Sequence, residues 1–320
     1  MQSIQEIVAT EFEAVNQLII DQLQSDVPLV ENIGHYIVDA GGKRMRPMLV
    51  LLSAACCQYK GREQIKLAAV IEFIHTATLL HDDVVDISSL RRGRPTANAT
   101  WGNAPSVLVG DFLYSRAFQL LVALGDMDIM ENLSDTTNNI AAGEVLQLTK
   151  AGDPNTSEAD YLDIIERKTA ILFSSACKAA GLLSGQTADI CKALAEFGLK
   201  LGLAFQLVDD ILDYEGDPKT MGKNVGDDLA EGKPTLPLIY SLIHGNNRQK
   251  KLIEAAIRNK STQHIADVFS AVSDCGALAY THKLAAQYSA DAKQALGQLP
   301  DNQYRDAMME LAEIAINRNR

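Results

Sequence analysis

The sequence predicts an all-α protein, and three observations carry that expectation. Apolar residues recur at the helical period, no segment alternates as a half-buried strand would, and the breaks between apolar runs hold helix-start residues. In the first segment Ile4, Ile7, Val8, Phe12, Val15, Leu18, Ile19 and Leu23 share one face, so an amphipathic helix opens the chain. Pro47 and Pro105 each open an apolar run, where proline suits the first helical turn because its missing N–H would be unpaired there anyway. Thr156 or Ser157, followed by Glu158 and Asp160, caps a helix that runs through Lys168 to Leu183. The stretches 65–86 and 187–214 are apolar on more than one face, as central helices enclosed by others are, and both end in acids.

No Pro/Ser-rich linker, low-complexity tract or solenoid-type repeat divides the chain, so one domain over residues 1–320 is expected. With 47% apolar and 22% charged residues, the composition is that of a globular protein with a large core. A net charge of -12 argues against binding the nucleic-acid backbone, so an anionic ligand must be held by local cations or by metal. Cys56, Cys57, Cys177, Cys191 and Cys275 show no CxxC spacing and read as buried thiols of a reducing compartment. The N-terminus carries acids and no basic leader, and no run reaches the roughly 18 apolar residues of a spanning helix; the expected setting is the cytoplasm. From Gly216 to Pro237, four glycines and three prolines in a stretch of little apolar content predict a long loop, of the kind that acts as a lid or binding segment.

The chemistry-bearing residues begin with acids. Asp82, Asp83 and Asp86 in HDDVVD, and Asp209, Asp210 and Asp213 in QLVDDILD, repeat carboxylates at i, i+1 and i+4 near the ends of apolar helices. Like charges one turn apart cost about 0.2–0.5 kcal/mol, and acids near a helix C-terminus oppose its dipole. A divalent cation compensates for both, and Mg²⁺ typically joins one or two carboxylates to substrate phosphates. Two such clusters therefore predict a phosphorylated ligand held between metal ions.

Cations flank these acids. Lys43, Arg44 and Arg46 precede one helix, and Arg91, Arg92 and Arg94 follow the first cluster, where arginine forks suit phosphate oxygens. Lys168, Lys223 and Lys233 add separate point charges, the last two inside the long loop. His75 lies seven residues before Asp82 and so shares its helix face; by itself it reads either as a core histidine or as a phosphate donor.

With GGKRMRP, LLHDDVVD, RRGRPTANATWGN, GEVLQL, Lys168-Thr169, FQLVDDILDY and GKNVGDDLAEGKPTLPL in order, the chain resembles the trans-polyprenyl diphosphate synthases, and among them the bacterial octaprenyl-forming members, from about residue 30 onward. The resemblance implies the isoprenoid synthase fold, a single bundle of helices around a deep central cavity with the two acid clusters facing each other. It implies Mg²⁺ on Asp82, Asp86 and Asp209, with Asp83, Asp210 and Asp213 acting directly or through water. It assigns Lys43, Arg46, His75 and Arg92 to isopentenyl diphosphate and Arg91 to the allylic diphosphate. Lys168, Thr169 and Gln206 match positions lining the allylic site, Lys223 and Lys233 match lysines of a closing loop, and a homodimer is expected.

Two other readings are weaker. A class I terpene cyclase has no second substrate and so no use for Lys43, Arg46 and His75, and a non-catalytic subunit would have lost acids or cations that are all present here. Chain length is expected to depend on the small residues Ala77 and Thr78, one turn before Asp82, where short-chain members of the family carry bulky aromatics.

Overall fold

The computed structural model describes residues 2–215 and 226–317, and within them the chain is helical as expected. The N-terminal amphipathic segment is two helices, α1 (Gln2–Ile7) and α2 (Ala9–Gln22), because the backbone leaves helical geometry at Val8. Next come α3 (Pro28–Asp39), α4 (Met45–Cys56) and α5 (Glu63–Val85). A miniature hairpin, β1 (Leu90–Arg91) against β2 (Arg94–Pro95), pairs Leu90 with Pro95 and Arg91 with Arg94. Two residues per strand are too few for alternation to register, so the sequence gives no sign of it.

The bundle continues with α6 (Ala97–Trp101), α7 (Asn103–Leu124), α8 (Met127–Lys150) and α9 (Glu158–Ile165). Ser157 rather than Thr156 caps α9: its Oγ accepts from the Asp160 amide at 3.1 Å while Asp160 accepts from the Ser157 amide at 3.0 Å, a reciprocal capping box. A π-helical turn, Glu166–Ala170, joins α9 to α10 (Ile171–Leu183), and α11 (Ala188–Glu215) follows. After residue 225 come α12 (Asp227–Glu231), α13 (Leu236–His244), α14 (Asn247–Asn259), α15 (Ile265–Asp274), α16 (Ala277–Ala295) and α17 (Gln303–Ile316). The expected 216–237 loop thus contains a short helix and the start of another.

The two stretches read as central helices are central. Helix α5 packs chiefly against α7, and α11 lies between α10 and α16. Phe73, Phe173 and Phe197 are fully buried among them, each contributing about 1.5–3 kcal/mol of apolar burial. Gly198 permits the closest approach, since a Cβ there would stand 2.3 Å from the Phe173 carbonyl oxygen. Cys56, Cys57, Cys177 and Cys191 are buried and Cys275 is half-buried. Among the described helices, Asn103–Leu124 is long and apolar enough by composition to cross a membrane, and it packs against α5.

Candidate active site

The C-terminal ends of α5 and α11 meet across one cavity of about 520 Å³, walled by Glu72, His75, Thr78, Asp82 and Asp86 from α5 and by Phe205, Gln206 and Asp209 from α11. Lys43, Arg44 and Arg46 enter from the start of α4, Arg91 and Arg92 from the hairpin, Glu144 from α8, Lys168 and Thr169 from the π turn, and Lys233 from beyond α12. Lys223 lies outside the described residues.

Not every acid of the two motifs reaches the cavity. Asp83 is fully buried, and Arg91 grips it through Nε at 2.9 Å and Nη2 at 2.7 Å. The pair fastens the hairpin to α5, so the structure turns Asp83 away from the ligand space and commits two nitrogens of Arg91 to it. In the second cluster, buried Asp210 accepts from the Tyr161 hydroxyl at 2.5 Å and from Gln206 Nε2 at 2.8 Å, and Asp213 is buried too. Burial, then the charge of Asp228, pushes the Asp210 carboxyl up against those two donors, to about 8. Of the six acids in the two motifs, Asp82, Asp86 and Asp209 wall the cavity.

Lysines attend the first pair. Lys168 Nζ lies 2.7 Å from Glu144 and 3.7 Å from Asp82, and Lys233 Nζ lies 2.9 Å from Asp86 and also contacts Glu231. Burial raises the Asp82 carboxyl above the ordinary range despite Lys168, and burial, with Asp82 next, lifts Glu144 to about 7. Burial alone would lower the Lys233 ammonium, but Asp86, Glu231 and Asp228 outweigh it and hold it raised.

The donors fit a divalent metal. Asp82 and Asp86 stand one turn apart and Asp209 faces them, an oxygen-only set suited to a hard ion. Among the described residues no three acidic or other ligating side chains close around one point, so an ion there needs further oxygens, as from diphosphate and water.

Lys168 and Thr169 owe their position to the π turn. Such turns widen a helix by one residue and recur at functional sites. Two glycines make room: a Cβ at Gly143 would meet the Lys168 amide nitrogen at 3.0 Å, and one at Gly202 would meet Ala170 Cα at 2.5 Å. Thr169 Oγ1 then donates to Gln206 Oε1 at 3.0 Å, completing a chain Thr169, Gln206, Asp210, Tyr161.

At the other end, Arg46 lies over the Phe173 ring at 4.3 Å, and its Nη1 donates to His75 Nε2 at 3.2 Å. A guanidinium has no lone pair, so Nε2 must accept and the proton belongs on Nδ1. Burial, with Arg46 next, holds His75 well below its usual range, so it is neutral and lends the cavity no charge. Arg46, lowered to about 10 by burial, stays charged. Gly42 must be glycine, because its φ is +144° and a Cβ would lie 2.7 Å from Arg92 Nη2.

Of the expected chain-length pair, Thr78 walls the cavity, with its hydroxyl tied to the His75 carbonyl at 2.7 Å. Ala77 is fully buried and absent from that wall. Nothing in the sequence pattern gives Glu72, Glu144 or Tyr161 a role; for Glu72, its place three residues before His75 is the local signal.

The Polyprenyl synthetase family pattern matches residues 27–275. The chain belongs to that family. Membership makes it a prenyltransferase of isoprenoid biosynthesis and an all-α protein of the polyprenyl synthase fold. This polyprenyl synthetase is 48% identical over 321 residues to octaprenyl diphosphate synthase of Escherichia coli (strain K12), covering 100% of this chain and 99% of the relative. It is also 48% identical over 312 residues to the all-trans-nonaprenyl-diphosphate synthase (geranyl-diphosphate specific) of Rhodobacter capsulatus, covering 97% and 96%. The crystal structure of a polyprenyl synthase from Caulobacter crescentus CB15, complexed with calcium and isoprenyl diphosphate, superposes with a TM-score of 0.96 at 44% identity, covering 99% of this chain and 97% of that one.

Proposed function

We propose that this polyprenyl synthetase adds isopentenyl diphosphate repeatedly to farnesyl diphosphate, forming an all-trans octaprenyl diphosphate for quinone side chains. The observation that carries the reading is one cavity lined by Asp82, Asp86 and Asp209 with Lys168 and Lys233, and also by Lys43, Arg46 and Arg92. Asp82, Asp86 and Asp209 hold Mg²⁺ with the allylic diphosphate, and Lys168 and Lys233 are placed to meet its oxygens. When bound, Mg²⁺ neutralises charge that develops on the leaving diphosphate. Lys43, Arg46 and Arg92 hold the diphosphate of the second substrate.

As the allylic carbon–oxygen bond breaks, the electron pair leaves with the diphosphate and an allylic cation remains. The Thr169–Gln206 dipoles face that cation, and Phe173 and Phe205 help exclude water that would quench it as an alcohol. The double bond of isopentenyl diphosphate attacks, and loss of a proton to the departed diphosphate restores an allylic chain one unit longer.

A nonaprenyl product is the second reading, supported by the equal identity to the nonaprenyl-forming relative. Incubation with farnesyl diphosphate, labelled isopentenyl diphosphate and Mg²⁺, followed by sizing of dephosphorylated products, separates the two. A product no longer than farnesyl overturns both.

A homodimer through α7 accompanies this reading. Leu108 and Val122 project from its outer side, 65% and 66% exposed, and Val122 lines an open hollow with Tyr114 and Phe118. Val85, Ile87, Leu90 and Leu148 are also exposed, around a second hollow that shares Asp86, Glu144 and Lys233 with the cavity, which suits transfer of a water-insoluble product to a membrane.

A further inference from the structure

We propose that Glu72 is a positioning residue that keeps the arginines of the isopentenyl diphosphate end assembled before that substrate binds. The inference rests on the reading of the cavity given above. Glu72 walls the cavity ten residues before Asp82 on α5, about 15 Å along the helix, far from the proposed metal acids. One turn further on is His75, which accepts from Arg46.

Two atoms at this end, Glu72 Oε2 and Arg46 Nε, are shut off from solvent and make no hydrogen bond within the protein. Glu72 is the carboxylate that acts most strongly on both Arg46 and Arg92, while those arginines act unfavourably on each other. Burial raises the Glu72 carboxyl, and Arg44, then Arg46 and Arg92, oppose that rise; the two terminal nitrogens of Arg44 are committed to Asn16 at 2.6 Å and to the Val38 carbonyl at 3.4 Å. Arg46, half-buried, and Arg92, exposed, are thus two guanidiniums that line one cavity together with neutral His75. Their mutual repulsion calls for a nearby anion, and Asp209 adds to Glu72 in drawing Arg46. Glu72 supplies that anion from the wall, and a diphosphate entering from the mouth finds both forks already aimed.

A carboxylate behind two arginines also repels an incoming diphosphate, so the effect of removing it has two possible signs. Preorganisation predicts weaker binding; simple charge neutralisation predicts tighter binding. Glu72→Gln separates them because it keeps the shape and deletes the charge, and Glu72→Asp keeps the charge on a shorter stem.

In steady-state kinetics we expect Glu72→Gln to raise the Michaelis constant for isopentenyl diphosphate about tenfold or more, leaving kcat within twofold and the constant for farnesyl diphosphate unmoved. Glu72→Asp should recover part of the loss. Metal-free titration of the full chain with inorganic pyrophosphate, followed by the rise in melting temperature, gives a readout that does not need turnover. Wild type should be stabilised and Glu72→Gln markedly less so. A folded Glu72→Gln protein that binds pyrophosphate as tightly as wild type, or tighter, overturns the proposal. If wild type itself elongates nothing, the functional reading falls, while the pyrophosphate titration still decides the role of Glu72.

Discussion

Gly202→Ala adds one methyl group where the structure leaves no room, and its consequences should divide sharply between stability and turnover. The new Cβ would stand 2.5 Å from Ala170 Cα, 2.9 Å from Ala170 Cβ and 3.3 Å from the Ala170 carbonyl oxygen. Carbon atoms rest at about 3.5–4.0 Å, so relief requires a shift of about 1 Å, and the obstacle is backbone rather than a flexible side chain. Overpacking of this kind costs about 1–3 kcal/mol, and alanine recovers about 1 kcal/mol of that over glycine inside a helix. The net loss of stability is thus about 0–2 kcal/mol, and the fold survives. Turnover is more sensitive, because Ala170 closes the π turn that carries Lys168 and Thr169, and a 1 Å misplacement of reacting geometry costs about 100-fold. The assay is kcat for elongation alongside a thermal melt, with Gly297→Ala as control, since nothing lies within 4 Å of that position. A Gly202→Ala enzyme with wild-type turnover would refute the argument that the π turn is held in place by the missing side chain.

Asp82→Ala and Asp209→Ala should each lower Mg²⁺-dependent turnover by about 100-fold or more while the protein stays folded, as circular dichroism and product assays with and without EDTA would show. Glu144 gives a pH dependence: its carboxyl is raised from 4.5 to about 7, so the folded chain binds this proton more tightly than the unfolded chain does. Its contribution is therefore fully present below pH 4.5 and is lost as pH rises to about 7, an effect on the order of 3 kcal/mol; Glu144→Gln should flatten urea midpoints across that window. Thr78→Tyr, filling the cavity wall, should shorten the product, whereas Ala77→Tyr, at a fully buried site, should mainly destabilise by about 1–3 kcal/mol; chromatography and melting curves distinguish them.

Much of the architecture was legible in the sequence because long helices carry their period openly. Helices α5 and α11 match the doubly apolar stretches to within two residues. Their acids, and a cap at Thr156 or Ser157, followed from the same local rules, and the structure selects Ser157. What escaped depends on neighbours distant in sequence. The π turn is invisible locally because the glycines that admit it, Gly143 and Gly202, lie on other helices. The acid motifs invite a reading as three equivalent ligands, yet successive helical residues point about 100° apart, so Asp82 and Asp83 cannot both face one cavity. Asp83 and Asp210 instead serve as internal anchors, for Arg91 and for Tyr161 with Gln206. His75 shares the face of Asp82, but its neutrality follows from Arg46, which spacing on one helix cannot reveal.

The lysines beside Asp82 and Asp86 bear on the order in which the proposed reactants arrive. Each ammonium group already sits beside an acid of the proposed metal set, so a divalent ion approaching alone must compete with Lys168 for Asp82 and with Lys233 for Asp86, leaving the lysines to Glu144 and Glu231. When the ion comes with a diphosphate, the displaced ammonium groups exchange carboxylate oxygens for phosphate oxygens and lose little. On the proposed function, metal and allylic diphosphate would enter this mouth most easily as one unit. Occupancy by metal would then track the supply of primer, and the charge that drives ionisation would be assembled only where there is a bond for it to break.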